Sequence, residues 1–125
     1  MSEPVKPEID FPEGPPPVDL QVIDLTEGDG REAAVGHTAV VHYVGVAYSS
    51  GEEFDASWNR GESFEFSLGG GQVIAGWDQG VVGMKVGGRR QLVIPPHLGY
   101  GDRGAGSVIP PGETLIFVVD LIDVR

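Results

Sequence analysis

The sequence predicts an α+β domain in which one short helix packs on a curved antiparallel sheet. Three observations lead there. Several apolar runs follow the two-residue period of strands. Only one stretch has helical spacing. Nineteen of the twenty glycines lie beyond residue 17, between apolar runs, where they mark turns inside a folded unit. With 125 residues the chain is long enough to bury a single core.

Residues 1–17 stand apart from that pattern. They hold six of the ten prolines (Pro4, Pro7, Pro12, Pro15, Pro16 and Pro17) and carry a net charge of −3. Their large apolar groups are Val5, Ile9 and Phe11, too few to offset the entropy of ordering the segment. It reads as a flexible acidic tail ending in a short polyproline stretch, either a spacer or a ligand for an aromatic groove. The folded domain is expected over residues 18–125.

Val18–Leu25 alternates loosely and predicts a first strand, closed by Gly28-Asp29-Gly30. His37–Ala47 is the longest β-branched run. Ala39, Val41 and Tyr43 fall on one face and Val40, His42 and Val44 on the other, as in a central strand covered on both sides. Ser49-Ser50-Gly51 makes a hairpin-like turn. Phe64–Leu68 alternates strictly, as a strand with one wet face does. Between Gly71 and Gly83, Ile74, Trp77 and Val81 recur at helical spacing, with Val73 beside them. Gly76 and Gly80 each cost that helix about 1 kcal/mol relative to alanine. Four residues apart on one face, they let a sheet approach closely. Arg89–Ile94 and Glu113–Val124 complete the strands. Pro95–Pro111 holds four prolines and four glycines without periodicity, a long loop of the kind that carries function.

Composition excludes several classes. Eight basic and nineteen acidic side chains give a formal net charge of −11, which argues against nucleic acid and anionic membrane surfaces. Residues 1–32 hold nine acids and two bases, so most of the acidity lies in the N-terminal quarter. Without cysteine there is no disulfide, thiolate metal site or thiol nucleophile. No run approaches the ~20 apolar residues of a membrane span. The N-terminus lacks the basic start and apolar core of a secretory signal, so a cytoplasmic location is expected, with a monomer as the default state.

Motif scans exclude more. Gly71–Gly76 has phosphate-loop glycine spacing, but Trp77-Asp78 stands where Lys-Ser/Thr is required. Gly99–Gly104 fits G-x-G-x-x-G but leads to Gly106, Pro110 and Pro111 rather than to a helix. His37 and His42 point to opposite faces of one strand and cannot share a metal. His97 sits in the proline-rich loop, and no serine lies in a nucleophile elbow. What remains is chemistry that breaks no covalent bond.

The aromatics carry that chemistry. Strand aromatics are ordinarily core, but their neighbours here form an ordered set. Val41-His42-Tyr43-Val44-Gly45, Phe54-Asp55, Val73-Ile74-Ala75-Gly76-Trp77, Tyr100-Gly101 and Val108-Ile109-Pro110-Pro111 resemble, in order and spacing, the FKBP family of peptidyl-prolyl cis–trans isomerases, which bind tacrolimus and rapamycin. The likeness covers about residues 18–125. It implies a half-barrel of five or six antiparallel strands wrapped around one short helix, with a shallow apolar pocket between them. By matching motif the wall would be Tyr43, Phe54, Asp55, Phe64, Val73, Ile74, Trp77, Tyr100, Val108, Ile109 and Phe117. Gln72 would add its backbone carbonyl, and Arg60 matches the family's arginine near Asp55. Neither a cofactor nor a metal is implied. The implied partners are Xaa–Pro polypeptides and the two macrolides, and the acidic single-domain form points to a bacterial source.

The resemblance also suggests roles. Trp77 would form the floor under the substrate proline. The Ile74 backbone N–H and the Tyr100 hydroxyl would hold substrate carbonyls. Phe54 counts with these among the catalytic residues, and Asp55 would polarise the pocket without transferring a proton. A buried Asp55 needs partners, for which Tyr43 and Arg60 are expected; the alternative is an exposed turn acid after Glu52-Glu53. The loop tip Gly104-Ala105-Gly106-Ser107 departs from the bulkier side chains of many relatives. The competing function is a binding or chaperone module that uses the same pocket, with catalysis incidental.

Overall fold

The computed structural model describes residues 6–9, 14–105 and 109–125. Its elements run β1 (Gln21–Thr26), β2 (Thr38–Ala47), β3 (Glu53–Ala56), α1 (Ser57–Arg60), β4 (Phe64–Ser67), α2 (Ala75–Gly80), β5 (Arg89–Ile94) and β6 (Leu115–Val124). All strand pairs are antiparallel, in the order β1-β5-β6-β2-β3, with β4 also paired to β2. Six strands and a short helix meet the α+β expectation.

The apolar run of β2 takes the central place its two-faced pattern predicts. One edge pairs with β6 from Ala39 to Ala47. The other edge is shared: Thr38–Val41 pair with β4 and Val44–Val46 with β3. His42 and Tyr43 fall in the gap. Ser57, fully buried at the start of α1, fills it: its Oγ accepts the Tyr43 N–H at 2.7 Å and lies 2.9 Å from His42 Nδ1. A buried backbone donor left unpaired there would cost about 1–3 kcal/mol, so one hydroxyl lets the edge change partners.

The concave face of the sheet holds the main core, which includes Val41, Tyr43, Phe66, Trp77, Leu92, Ile94, Leu115, Phe117 and Val119. Helix α2 lies on β5 because its glycines permit it. A methyl group added at Gly76 would sit 2.6 Å from Ile94 Cγ2, and one at Gly80 2.6 Å from Leu92 Cδ2. The convex face carries two smaller clusters, Val44, Ala56 and Val118, and Val46, Val93 and Ile116; Ile9 packs against both. Other residues of the N-terminal segment also meet the domain. Lys6 pairs with Glu53, and the Tyr48 hydroxyl donates to the carbonyls of Gly14 and Pro15.

Differences from the sequence expectation are local. β1 begins at Gln21 rather than Val18, which is 80 % exposed. β3 and α1 go beyond the expectation: α1 is a single turn, too short to show a helical period, and β3, although it alternates like the equally short β4, follows directly on the turn at Ser49-Ser50-Gly51. The Pro95–Pro111 segment contains two short 3₁₀ turns, Pro96–Leu98 and Gly101–Arg103.

Candidate active site

Between α2, the strands β2 to β4 and the Tyr100 loop lies a cleft of about 180 Å³, lined by Tyr43, Phe54, Asp55, Phe64, Gln72, Val73, Ile74, Trp77, Tyr100 and Phe117. Ten of the thirteen site residues expected from sequence therefore meet there. Arg60 stands behind the wall, bonded to two of its members. Ile109 is 3 % exposed within the main core and pairs with Ala105 in a short bridge. Val108 lies outside the described residues.

Trp77 is the hub. Its ring meets Tyr43 at 4.9 Å, Phe117 at 5.2 Å and Phe64 at 6.0 Å, all edge-to-face, and tilts against Phe66 at 5.5 Å. Phe54 stands edge-on to Phe117 at 5.5 Å. Such contacts add about 0.5–1.5 kcal/mol per pair beyond area burial, so the box is stiff. Gly45 makes it possible. It pairs with Asp55 on one side and Phe117 on the other, and a methyl group there would lie 2.6 Å from Phe117 Cε1 and 2.7 Å from Phe54 Cζ.

One carboxylate lines the cleft, and it is paired. The Tyr43 hydroxyl donates to Asp55 Oδ2 at 2.6 Å, Arg60 Nη1 donates to Asp55 Oδ1 at 2.7 Å, and Arg60 Nη2 donates to the Tyr43 hydroxyl at 2.8 Å. The guanidinium also lies 5.7 Å from the centre of the Tyr43 ring. Burial alone would push the Asp55 carboxyl up, but the hydrogen bonds from Tyr43 and Arg60 and the arginine charge outweigh it, so the group sits below the usual carboxylate range. Burial, reinforced by Asp55, pushes the Tyr43 hydroxyl up. Asp55 is thus an anion and Tyr43 a neutral donor at neutral pH, poorly suited to moving protons.

The rim is more open. Tyr100 is 40 % exposed and follows the first 3₁₀ turn; burial and then the Asp55 charge push its hydroxyl up, which keeps it a donor. Ile74 is the residue before α2, and its carbonyl accepts from the N–H groups of Trp77 and Asp78. The Gln72 side chain accepts the Ser67 N–H at 2.8 Å, and the residue lines the cleft. Asp78, absent from the expected set, accepts from the N–H groups of Gly69 and Gly71 at 2.9 and 3.0 Å, tying the turn before Ile74 to the helix. Ser57 and Gly45 were also missed as supports. The glycine stood inside a quoted motif, but only the register shows which rings it admits.

An aromatic cleft whose one carboxylate is already hydrogen-bonded suits the class of protein that holds an apolar segment without a covalent bond. The comparisons with known proteins give this class its family. The sequence model of the FKBP-type peptidyl-prolyl cis-trans isomerase family matches residues 29–122. An FK506-binding protein of Streptomyces anulatus is 69 % identical over 120 residues, covering 95 % of this chain and 97 % of its own. A probable FK506-binding protein of Corynebacterium glutamicum is 53 % identical over 117 residues, covering 94 % and 97 %. The crystal structure of AtFKBP13 superposes with a TM-score of 0.80 at 42 % identity, covering 88 % of this chain and 96 % of that one. The chain belongs to the FKBP-type peptidyl-prolyl cis-trans isomerase family, and its reaction is the isomerisation of Xaa–Pro peptide bonds.

Proposed function

We propose that the cleft takes an Xaa–Pro segment with the proline ring over Trp77 and speeds its rotation by surrounding the twisted amide with aromatic rings. Rotation faces a barrier of ~18–20 kcal/mol because resonance gives the C–N bond double-bond character. The isomers themselves differ by only about 0.5–1 kcal/mol, so rate is the problem. A twisted amide has lost that resonance and is less polar than the planar one. An apolar cleft therefore favours the transition state over the ground state, and each ~1.4 kcal/mol of preference is worth tenfold. The Ile74 N–H and the Tyr100 hydroxyl hold the flanking carbonyls. Phe54 closes one side, and the Asp55 anion acts through its field rather than as a base. The observation that carries this reading is the Trp77 box beside a carboxylate that Tyr43 and Arg60 already occupy.

The same apolar cleft suits macrolide ligands. The relatives that are named FK506-binding proteins support binding of tacrolimus here, and rapamycin is proposed with it. A monomer working in the cytoplasm completes the proposal; sedimentation and cell fractionation test those two points. The central experiment is exchange NMR on a short Ala-Leu-Pro-Phe peptide, with and without excess rapamycin. Acceleration that the macrolide abolishes is expected. No acceleration at micromolar protein would overturn the catalytic reading in favour of a binding module.

A further inference from the structure

The wall that carries Asp55 and Arg60 is built from two short elements. β3 is a four-residue edge strand paired to β2 at three positions, with a register shift between Gly45 and Val46, and α1 is a single turn. Besides the sheet ladder, Ser57 and Arg60 tie these elements to β2, and the N-terminal segment adds a further tie from outside. Lys6 Nζ donates to Asn59 Oδ1 at 2.9 Å and pairs with Glu53 Oε1 at 2.8 Å, while Asn59 Nδ2 donates to Glu53 Oε2 at 2.8 Å. This closed ring of three side chains ties β3 to α1. Glu53 lies two residues before Asp55, and Asn59 immediately precedes Arg60. Three residues along the segment, Ile9 packs against both convex-face clusters, one of which contains Ala56, where β3 ends. Lys6 is the one basic residue among the first thirty, in a segment otherwise acidic, and it sits on the acidic run Glu52-Glu53-Asp55.

We propose that residues 6–9 form a brace that fixes β3 and α1, so that Lys6 and Ile9 are positioning residues for the Asp55–Arg60–Tyr43 triad of the isomerase cleft. The inference rests on the isomerase reading of that cleft. It gives the acidic segment a task on the face of the sheet opposite the substrate. The brace touches no reacting atom and acts only through the residues it holds.

Charge exchange in the full chain tests it. Lys6→Glu and Glu53→Lys are each expected to lower isomerase efficiency and rapamycin affinity about two- to fivefold, the size of a partly exposed ion pair. Measurements are made at a temperature where circular dichroism shows every variant folded. The double variant Lys6→Glu/Glu53→Lys should recover most of both losses. Amide hydrogen exchange at Asp55 and Ala56 should quicken in each single variant while β5 and β6 amides stay protected, a local change that general destabilisation does not produce. Ile9→Asp should do the same without touching the ion pair. Single variants and Ile9→Asp with wild-type efficiency and wild-type exchange, or a double variant no better than the singles, would overturn the brace. Should the wild-type chain fail to accelerate the peptide, the isomerase reading falls, while the exchange data still judge the brace.

Discussion

Gly45→Ala tests whether the aromatic box depends on the absence of one methyl group. The substitution puts a carbon 2.6 Å from Phe117 Cε1, 2.7 Å from Phe54 Cζ and 2.9 Å from Phe117 Cδ1. Ordinary contact begins near 3.4 Å, so the rings must yield about 0.8 Å, and both line the cleft. Overpacking of this kind costs about 1–3 kcal/mol. Replacing glycine by alanine in an extended strand recovers about 0.4–1 kcal/mol through the unfolded chain. The net expectation is a loss between about 0 and about 2.6 kcal/mol in a urea titration. The effect on turnover should be larger than the effect on stability. The rings retreat into the space the substrate needs, and a displacement near 1 Å in a positioned site costs up to about 10²-fold. Exchange NMR on the Ala-Leu-Pro-Phe peptide should therefore show a loss of about ten- to a hundredfold in fully folded protein. Stability within ~0.5 kcal/mol of wild type together with an unchanged rate would show that the box yields freely, and would refute the reasoning.

Other substitutions separate support from chemistry. Ser57→Ala should destabilise the fold by about 1–3 kcal/mol in urea, because the buried Tyr43 N–H loses its acceptor. Asp55→Ala should lower turnover about three- to tenfold while circular dichroism stays that of the wild type; an unchanged rate would remove Asp55 from the mechanism. Because the Asp55 carboxyl lies below its ordinary value in the fold, its contribution is complete above the unfolded value and is lost as pH falls through the folded one. Stability differences between wild type and Asp55→Asn should thus be flat from pH 8 to 5 and shrink below about pH 4. Gly76→Ala should be unfavourable despite a gain in helix propensity of about 1 kcal/mol, since its methyl group would meet three Ile94 carbons within 2.8 Å; higher stability in urea would contradict the close packing of α2 on β5.

The parts legible in the sequence are those with a period or a motif. β2 shows its two buried faces in the alternation of Ala39 to Val44, β5 is bounded as expected, and the paired glycines of α2 announce its approach to a strand. The cleft wall was legible through the resemblance of five ordered motifs to a known family; taken alone, its aromatics read as core. What stayed hidden is short or depends on register. α1 is one turn, shorter than a helical period can show, and β3 alternates like β4 but runs straight on from a turn. The role of Ser57 follows from β2 changing partners at His42 and Tyr43, a fact of long-range pairing that no local window contains. Ile109 shares the character of a wall residue, yet it is buried in the main core and is not among the residues that line the cleft, since an apolar side chain carries no label for which side of a loop it will face.

That change of partners also explains how a rigid floor and a charged wall coexist in one small cleft. Trp77 and Phe117 stand on elements with continuous support: β6 is paired along both edges, and α2 is seated on β5 through two glycines. Phe54 and Asp55 stand on β3, the short strand that takes over the β2 edge from β4, and Arg60 on α1, which leaves the sheet there; one serine hydroxyl bridges the switch. Arg60 returns from that excursion to close the triad with Tyr43, whose own backbone lies in the gap. The apolar surface that favours the twisted amide is therefore set by packing, and the field at its side by three hydrogen bonds on a separately held edge. A change confined to β3 and α1 can alter that field while the Trp77 floor stays in place. For a reaction that needs no proton transfer, such a division lets substrate preference vary without rebuilding the surface that lowers the barrier.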